Sequence, residues 1–148
     1  MKYQIDQSIK IENTNKTSFV CLANGKILVS SISAKDKKEL KLYFRELDKP
    51  LIFKIFTFSV LCAKIIHHAK VEVVAIDEEY SGHEINIKSF ITQLLTIWGN
   101  TDTNIYFTRV GKKSKAHIEG YKAYKKNRKG VVVSAKEVLI LYNKIDKP

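Results

Sequence analysis

Ten residues from Val71 to Tyr80 restrict the fold more than any other part of the chain. Val71-Glu72-Val73-Val74-Ala75-Ile76 is an apolar, β-branched run, and it stops abruptly in Asp77, Glu78 and Glu79. A strand buried on both faces reads this way, and the acids place its end at the rim of a sheet. The rest of the chain must therefore supply neighbouring strands on both sides and helices on both faces.

Those partners are legible in order. From residue 2 to residue 12 the chain alternates: Tyr3, Ile5, Ile9 and Ile11 point one way, Asp6, Ser8, Lys10 and Glu12 the other, with Gln7 interrupting the apolar face. Asp6 in the middle of such a strand lies on a solvated face or is a ligand. Glu12 is six residues further on, roughly 20 Å along an extended strand, and cannot share a metal cluster with Asp6 unless the strand bends. Asn13 to Lys16 forms a turn, and Thr17 to Ala23 a second strand. Asn24-Gly25 is a hairpin signal, and Lys26 to Ser33 returns antiparallel.

Ser33-Ala34-Lys35-Asp36 has capping-box spacing and opens a helix to about Leu47. Pro50 suits the first position of the next helix. Leu51 to Ala69 is apolar enough to suggest a membrane span. Lys54, Lys64, His67 and His68 argue against one, because charges in lipid are costly. The expectation is a mostly buried helix with a wet stripe of Lys54, Thr57, Lys64 and His68, with a strand at 51–56 as the alternative. His67 and His68 point about 100° apart on a helix and suit its C-terminal dipole better than a shared metal.

After the Val71–Asp77 strand, Ser81-Gly82 turns the chain. A helix then carries Ile87, Phe90, Ile91, Leu94, Leu95 and Trp98 on one face and ends at Gly99-Asn100. Asn104 to Val110 is a further strand. Ser114 is the expected N-cap of a basic helix in which Ile118, Tyr121 and Tyr124 form an apolar stripe. Val131-Val132-Val133 is a short strand or edge, and Ser134 to Glu137 caps a closing helix. Strands alternating with helices in the second half imply right-handed crossovers and parallel pairing.

Charge narrows the function. The 148 residues make one domain, 1–148, with 26 Lys+Arg against 15 Asp+Glu and a formal net charge of +11. Such a balance implies an anionic partner, nucleic acid before a membrane surface. Between residues 109 and 129 lie Arg109, Lys112, Lys113, Lys115, Lys122, Lys125, Lys126, Arg128 and Lys129, opposed by Glu119 alone. This clustering reads as a phosphate-binding surface, contiguous with Ala116-His117 at the start of the helix. Cys21 and Cys62 sit among apolar neighbours and read as buried thiols without zinc or disulfide spacing. No apolar signal-peptide core opens the chain, so an intracellular, cytoplasmic location is expected.

The element order resembles the ribonuclease H-like fold, a β-hairpin pair followed by a helical crossover and parallel βαβα. The α/β architecture so implied is a mixed sheet of about five strands, three antiparallel and then parallel, flanked by helices. Family members carry one acid inside strand one, matched by Asp6, and a second at the end of strand four, matched by Asp77. Val74-Ala75-Ile76-Asp77 is similar to the strand end of RuvC-type junction resolvases, where the acid is often Glu. Ala116-His117 is similar to the third position of Argonaute/Piwi domains and some resolvases. Ribonuclease H itself places another Glu on the first helical region. Glu39 and Glu46 are the candidates here, but neither sits in a recognisable motif.

The resemblance implies a metal-dependent nuclease acting on DNA or RNA. Asp6 and Asp77 would be metal ligands for Mg²⁺ or Mn²⁺, Glu79 a supporting ligand, and His117 a ligand or proton-handling group. Physics adds a reason of its own. Two carboxylates brought within a few ångströms repel, and a divalent cation removes the conflict. The competing expectations are a non-catalytic nucleic-acid-binding protein with a degenerate site, and a subunit whose basic segment docks on a partner. A homodimer is left open.

Overall fold

The computed structural model describes residues 3–147 and contains a six-stranded mixed sheet with five helices among them. Strands β1 (Tyr3–Ser8), β2 (Ser18–Ala23) and β3 (Leu28–Ile32) run antiparallel in turn. Helices α1 (Ala34–Glu46) and α2 (Pro50–Ala69) follow, then β4 (Val73–Asp77), α3 (Glu84–Ile97), β5 (Asn104–Thr108), α4 (Lys115–Lys126), β6 (Val131–Val133) and α5 (Ala135–Tyr142). Across the sheet the order is β5-β4-β1-β2-β3-β6. β4 lies parallel to both β1 and β5, and β6 parallel to β3. The sheet thus has six strands where about five were expected, because the three valines of β6 extend it beyond β3.

The local signals account for the boundaries. Asn24 and Gly25 both take positive φ, 84° and 146°, in the β2–β3 connection. Ser33, Ser114 and Ser134 each accept a hydrogen bond from the backbone N–H three residues on, closing the first turns of α1, α4 and α5. Pro50 opens α2, so a helix and not a strand occupies 51–56.

α2 lies over one face of the sheet with α1, α3 and α5 around it. By length and composition it is long enough to cross a membrane, yet most of it is buried inside the protein. Its buried residues meet Ile5, Val20, Leu22, Ile32, Val74, Ile76 and Ile105 from the strands, forming the main core. Thr57, assigned to the wet stripe, is fully buried. The packing of α2 between the sheet and three helices takes that position out of solvent.

The opposite face is covered differently. α4 packs on β1 and β2 through Ala116, Gly120 and Ala123, which are buried. A Cβ at Gly120 would stand 3.4 Å from the Cys21 Cβ, so small residues set how close the helix sits. The expected apolar stripe therefore needs correction. Ile118 and Tyr121 are 43% and 51% exposed, and Tyr124 is the member of that trio that turns inward, its ring edge-on to Phe19.

The first strand ends earlier than alternation suggested. Ile9 has φ 67°, a conformation that a β-branched residue adopts at a cost. The chain turns there, sending Ile11 into the core and bringing Glu12 beside Tyr80. Tyr80 accepts the Ile11 N–H at 3.3 Å and has Gln7 and Glu12 side-chain oxygens within 3.3 Å and 3.1 Å. Glu12 is thus held by Tyr80, and it does not line the carboxylate cleft described below.

Candidate functional site

Parallel pairing brings the two distant acids together. Ile5 pairs with Ile76, so the next residue of each strand, Asp6 and Asp77, emerges on the same side of the sheet at the carboxyl end of β4. Asp77 pairs in turn with Thr108 of β5. Glu79, two residues past Asp77, turns back toward the same point. One carboxylate oxygen from each of Asp6, Asp77 and Glu79 lies within 4.8 Å of the others.

The fourth member comes from the other side. α4 starts beside β1, and His117 Nδ1 lies 2.7 Å from Asp6 Oδ2. The Gln7 N–H donates to Asp6 Oδ1 at 2.9 Å, and the Val110 N–H donates to Asp77 Oδ1 at 2.7 Å. Together these hold the carboxylates in fixed rotamers. Asp6 is 4% exposed, while the His117 side chain is 40% exposed. If the Nδ1 proton is directed at Asp6, Nε2 is left as the ring nitrogen with an available lone pair.

The electrostatics follow from this crowding. Burial pushes the Glu79 carboxyl up to about 8, and the neighbouring Asp77 and Asp6 push the same way. Burial also raises Asp6, assisted by Asp77 and opposed by the bonds from His117 and Gln7. At neutral pH Glu79 therefore retains its proton, which relieves part of the repulsion among three acids. A cation placed there would do the same. The donors are carboxylate oxygens, with one imidazole adjacent, and Asp6, Asp77 and Glu79 could hold a metal ion.

Asp6, Asp77, Glu79 and His117 line a cleft of about 430 Å³, together with Gln7, Glu78, Ser81, Arg109, Val110, Gly111 and Lys112. Arg109 and Lys112 thus stand at the mouth of an acidic floor. Lys113, Lys115, Lys122, Lys125, Lys126, Arg128 and Lys129 are all exposed and continue the positive surface along and beyond α4. Nearby, Glu119 is compensated by Lys122 at 3.5 Å.

Glu39 and Glu46 are exposed on α1, which packs against α2 and α5, and they do not line the cleft. Sequence reasoning missed the backbone donors of Gln7 and Val110 and the presence of Ser81 at the rim. A backbone N–H carries no residue-type signal, so nothing in the composition pointed to them. The His67 ring lies 5.3 Å from that of Trp98 and 6.1 Å from that of His68, the two imidazole planes being nearly perpendicular. Cys21 and Cys62 are buried. Loss of solvent pushes the Cys21 thiol up to about 12 and the Cys62 thiol well above its usual range.

No protein-family model, curated protein or solved structure matches this chain.

Proposed function

We propose that the protein is a divalent-metal-dependent nuclease of ribonuclease H-like architecture that hydrolyses phosphodiester bonds in DNA or RNA. The single observation carrying this reading is the convergence of Asp6, Asp77 and Glu79 in a cleft that Arg109 and Lys112 also line. Three acids gathered where a polyanion would lie make no sense as a phosphate-binding surface unless a cation stands between them and the phosphate. The neighbouring placement of β1 and β4 also supports the resemblance, which needed those strands side by side.

In this reading Asp6, Asp77 and Glu79 hold Mg²⁺ or Mn²⁺. The ion, when bound, supplies Lewis-acid charge at the phosphoryl oxygens. Asp6 fixes the His117 ring through Nδ1, and Nε2 handles a proton or completes the ligand set. Arg109, Lys112, Lys113 and Lys115 grip the phosphates on either side of the scissile bond without reading sequence.

The test is cleavage of single-stranded, duplex and branched substrates with Mg²⁺ or Mn²⁺, compared with the same reactions in EDTA. Asp6→Ala and Asp77→Ala are each expected to abolish cleavage. Activity equal to that of the unaltered protein in both variants overturns the proposal.

One observation favours a second reading, a binding protein without catalysis. One oxygen each of Asp6 and Asp77 already accepts a backbone hydrogen bond, and the other Asp6 oxygen is engaged with His117 Nδ1 at 2.7 Å. That reading expects salt-dependent binding that is unchanged in Asp6→Ala, with no cleavage under any metal.

A further inference from the structure

The exposed face of α4 combines two features that a plain solvated helix does not need together. It is strongly cationic, and it holds an aromatic ring out in water. Because Ala116, Gly120 and Ala123 are used for packing, Tyr121 is left 51% exposed, with Ile118 43% exposed one turn before it. Tyr121 is braced from behind. Its ring centroid is 6.4 Å from that of Tyr124, which is itself edge-on to Phe19 of β2 at 6.2 Å. Lys125 Nζ also stands 5.7 Å from the Tyr121 ring centroid.

Position matters as well. His117 and Tyr121 are four residues apart, hence neighbours on the helix surface and about 6 Å apart along its axis. A chain of phosphates leaving the carboxylate cleft past His117 reaches Tyr121 about one helical turn further on.

We propose that Tyr121 is a base-stacking platform, and that the polyanion taken by this protein is single-stranded nucleic acid, with its backbone held by Lys125. A duplex offers a protein its phosphates and the edges of its bases, while the flat faces of the bases are spent on one another. A braced ring beside cations therefore gains a stacking partner from an unpaired base and gains little from a duplex. The positive surface selects an anionic occupant over a neutral protein segment, since Glu119 is compensated by Lys122 and the flanking residues are lysines. This inference rests on the polyanion-binding half of the proposed function and is independent of the metal.

The experiment is fluorescence anisotropy in EDTA, where cleavage is suppressed. It uses the full chain and three labelled probes of equal phosphate number: an oligothymidylate strand, an abasic strand and a hairpin duplex. Tyr121→Ala is expected to weaken binding of the oligothymidylate roughly 5- to 100-fold, and to leave the abasic strand and the duplex within about twofold. Tyr121→Phe is expected to retain the affinity. Lys125→Gln is expected to reduce the slope of log K against log salt by about 0.7 on the single strand, while Tyr121→Ala leaves the slope unchanged.

A preference of the unaltered protein for the base-bearing strand over the abasic one supports the same conclusion without any variant. The inference is overturned if Tyr121→Ala changes nothing, if it weakens all three probes equally, or if the unaltered protein binds no probe. Stacking without cleavage in any metal would refute the nuclease reading and leave this one standing. Cleavage with no Tyr121 effect would do the reverse.

Discussion

His117 Nδ1 and Asp6 Oδ2 meet at 2.7 Å although 111 residues separate them in the chain. The contact ties the first turn of α4 to the middle of β1, and it opposes the rise that burial imposes on the Asp6 carboxyl. His117→Ala removes that opposition. The Asp6 carboxyl is then expected to titrate at higher pH than in the unaltered protein, as read from its carboxyl ¹³C shift. Cleavage is expected to fall roughly 100-fold. An Asp6 titration that does not move would show that the imidazole does not interact with the carboxylate in solution.

Glu79 links pH to both metal and stability. Its folded carboxyl titrates at about 8, so a cation entering below that pH must displace a proton. Calorimetry of Mn²⁺ binding in buffers of different ionisation enthalpy is expected to show close to one proton released near pH 7, and none in Glu79→Gln. Apparent affinity is expected to rise about tenfold per pH unit toward pH 8 and then level off. For the metal-free protein the sign is opposite to that of the usual acid. Between 4.5 and about 8 the unfolded chain has lost this proton and the folded one keeps it, so this group's contribution to stability falls as pH rises through that window. Glu79→Gln removes the decline, which urea titrations at several pH values can measure.

Lys37 is fully buried on α1, with Nζ donating to Asn13 O at 2.5 Å and Ser18 Oγ at 2.7 Å. It holds the β1–β2 connection against the helix. Lys37→Ala leaves a cavity and strands those acceptors, with an expected loss of about 3 kcal/mol in urea denaturation. Burial lowers the ammonium to about 8 from the 10.5 of a free lysine. Between those values the unfolded chain binds the extra proton, so this group adds stability as pH rises from 8 to 10.5. Lys37→Met should lack that rise, and an identical pH profile in the two proteins would refute the assignment.

Gly130 enters β6 at φ 59°, and a Cβ there would run into the Val29 carbonyl oxygen. Both the backbone angle and the contact with rigid backbone argue against any side chain. Gly130→Ala is expected to cost at least about 2 kcal/mol and to loosen the β3–β6 pairing. Hydrogen exchange at Val131 and Val133 should report this locally. Unchanged protection in a variant of unchanged stability would show that the chain relaxes around the methyl group.

The amino-acid sequence alone determined the elements whose causes are local. The Asn24-Gly25 hairpin, the three serine caps, the proline start of α2 and the apolar strand ending at Asp77 depend on neighbours a few residues away, and the structure has them where the patterns put them. Asp6, Asp77, Glu79 and His117 could each be named from such patterns, but their meeting could not. It depends on which strands pair and in what register, and strand pairing is long-range.

Tertiary structure also decided which face of α4 would be buried. Hydrophobic size favoured Ile118, Tyr121 and Tyr124, yet close approach to β2 selected Ala116, Gly120 and Ala123. On the other face of the sheet, the packing of α1 and α2 buried Lys37 and Thr57, which a polar residue's own chemistry gives no reason to expect. Local preference chooses the elements because each residue feels its own backbone first. Their faces and partners are chosen by the space left when distant segments close on one another, and no short window of sequence contains that space.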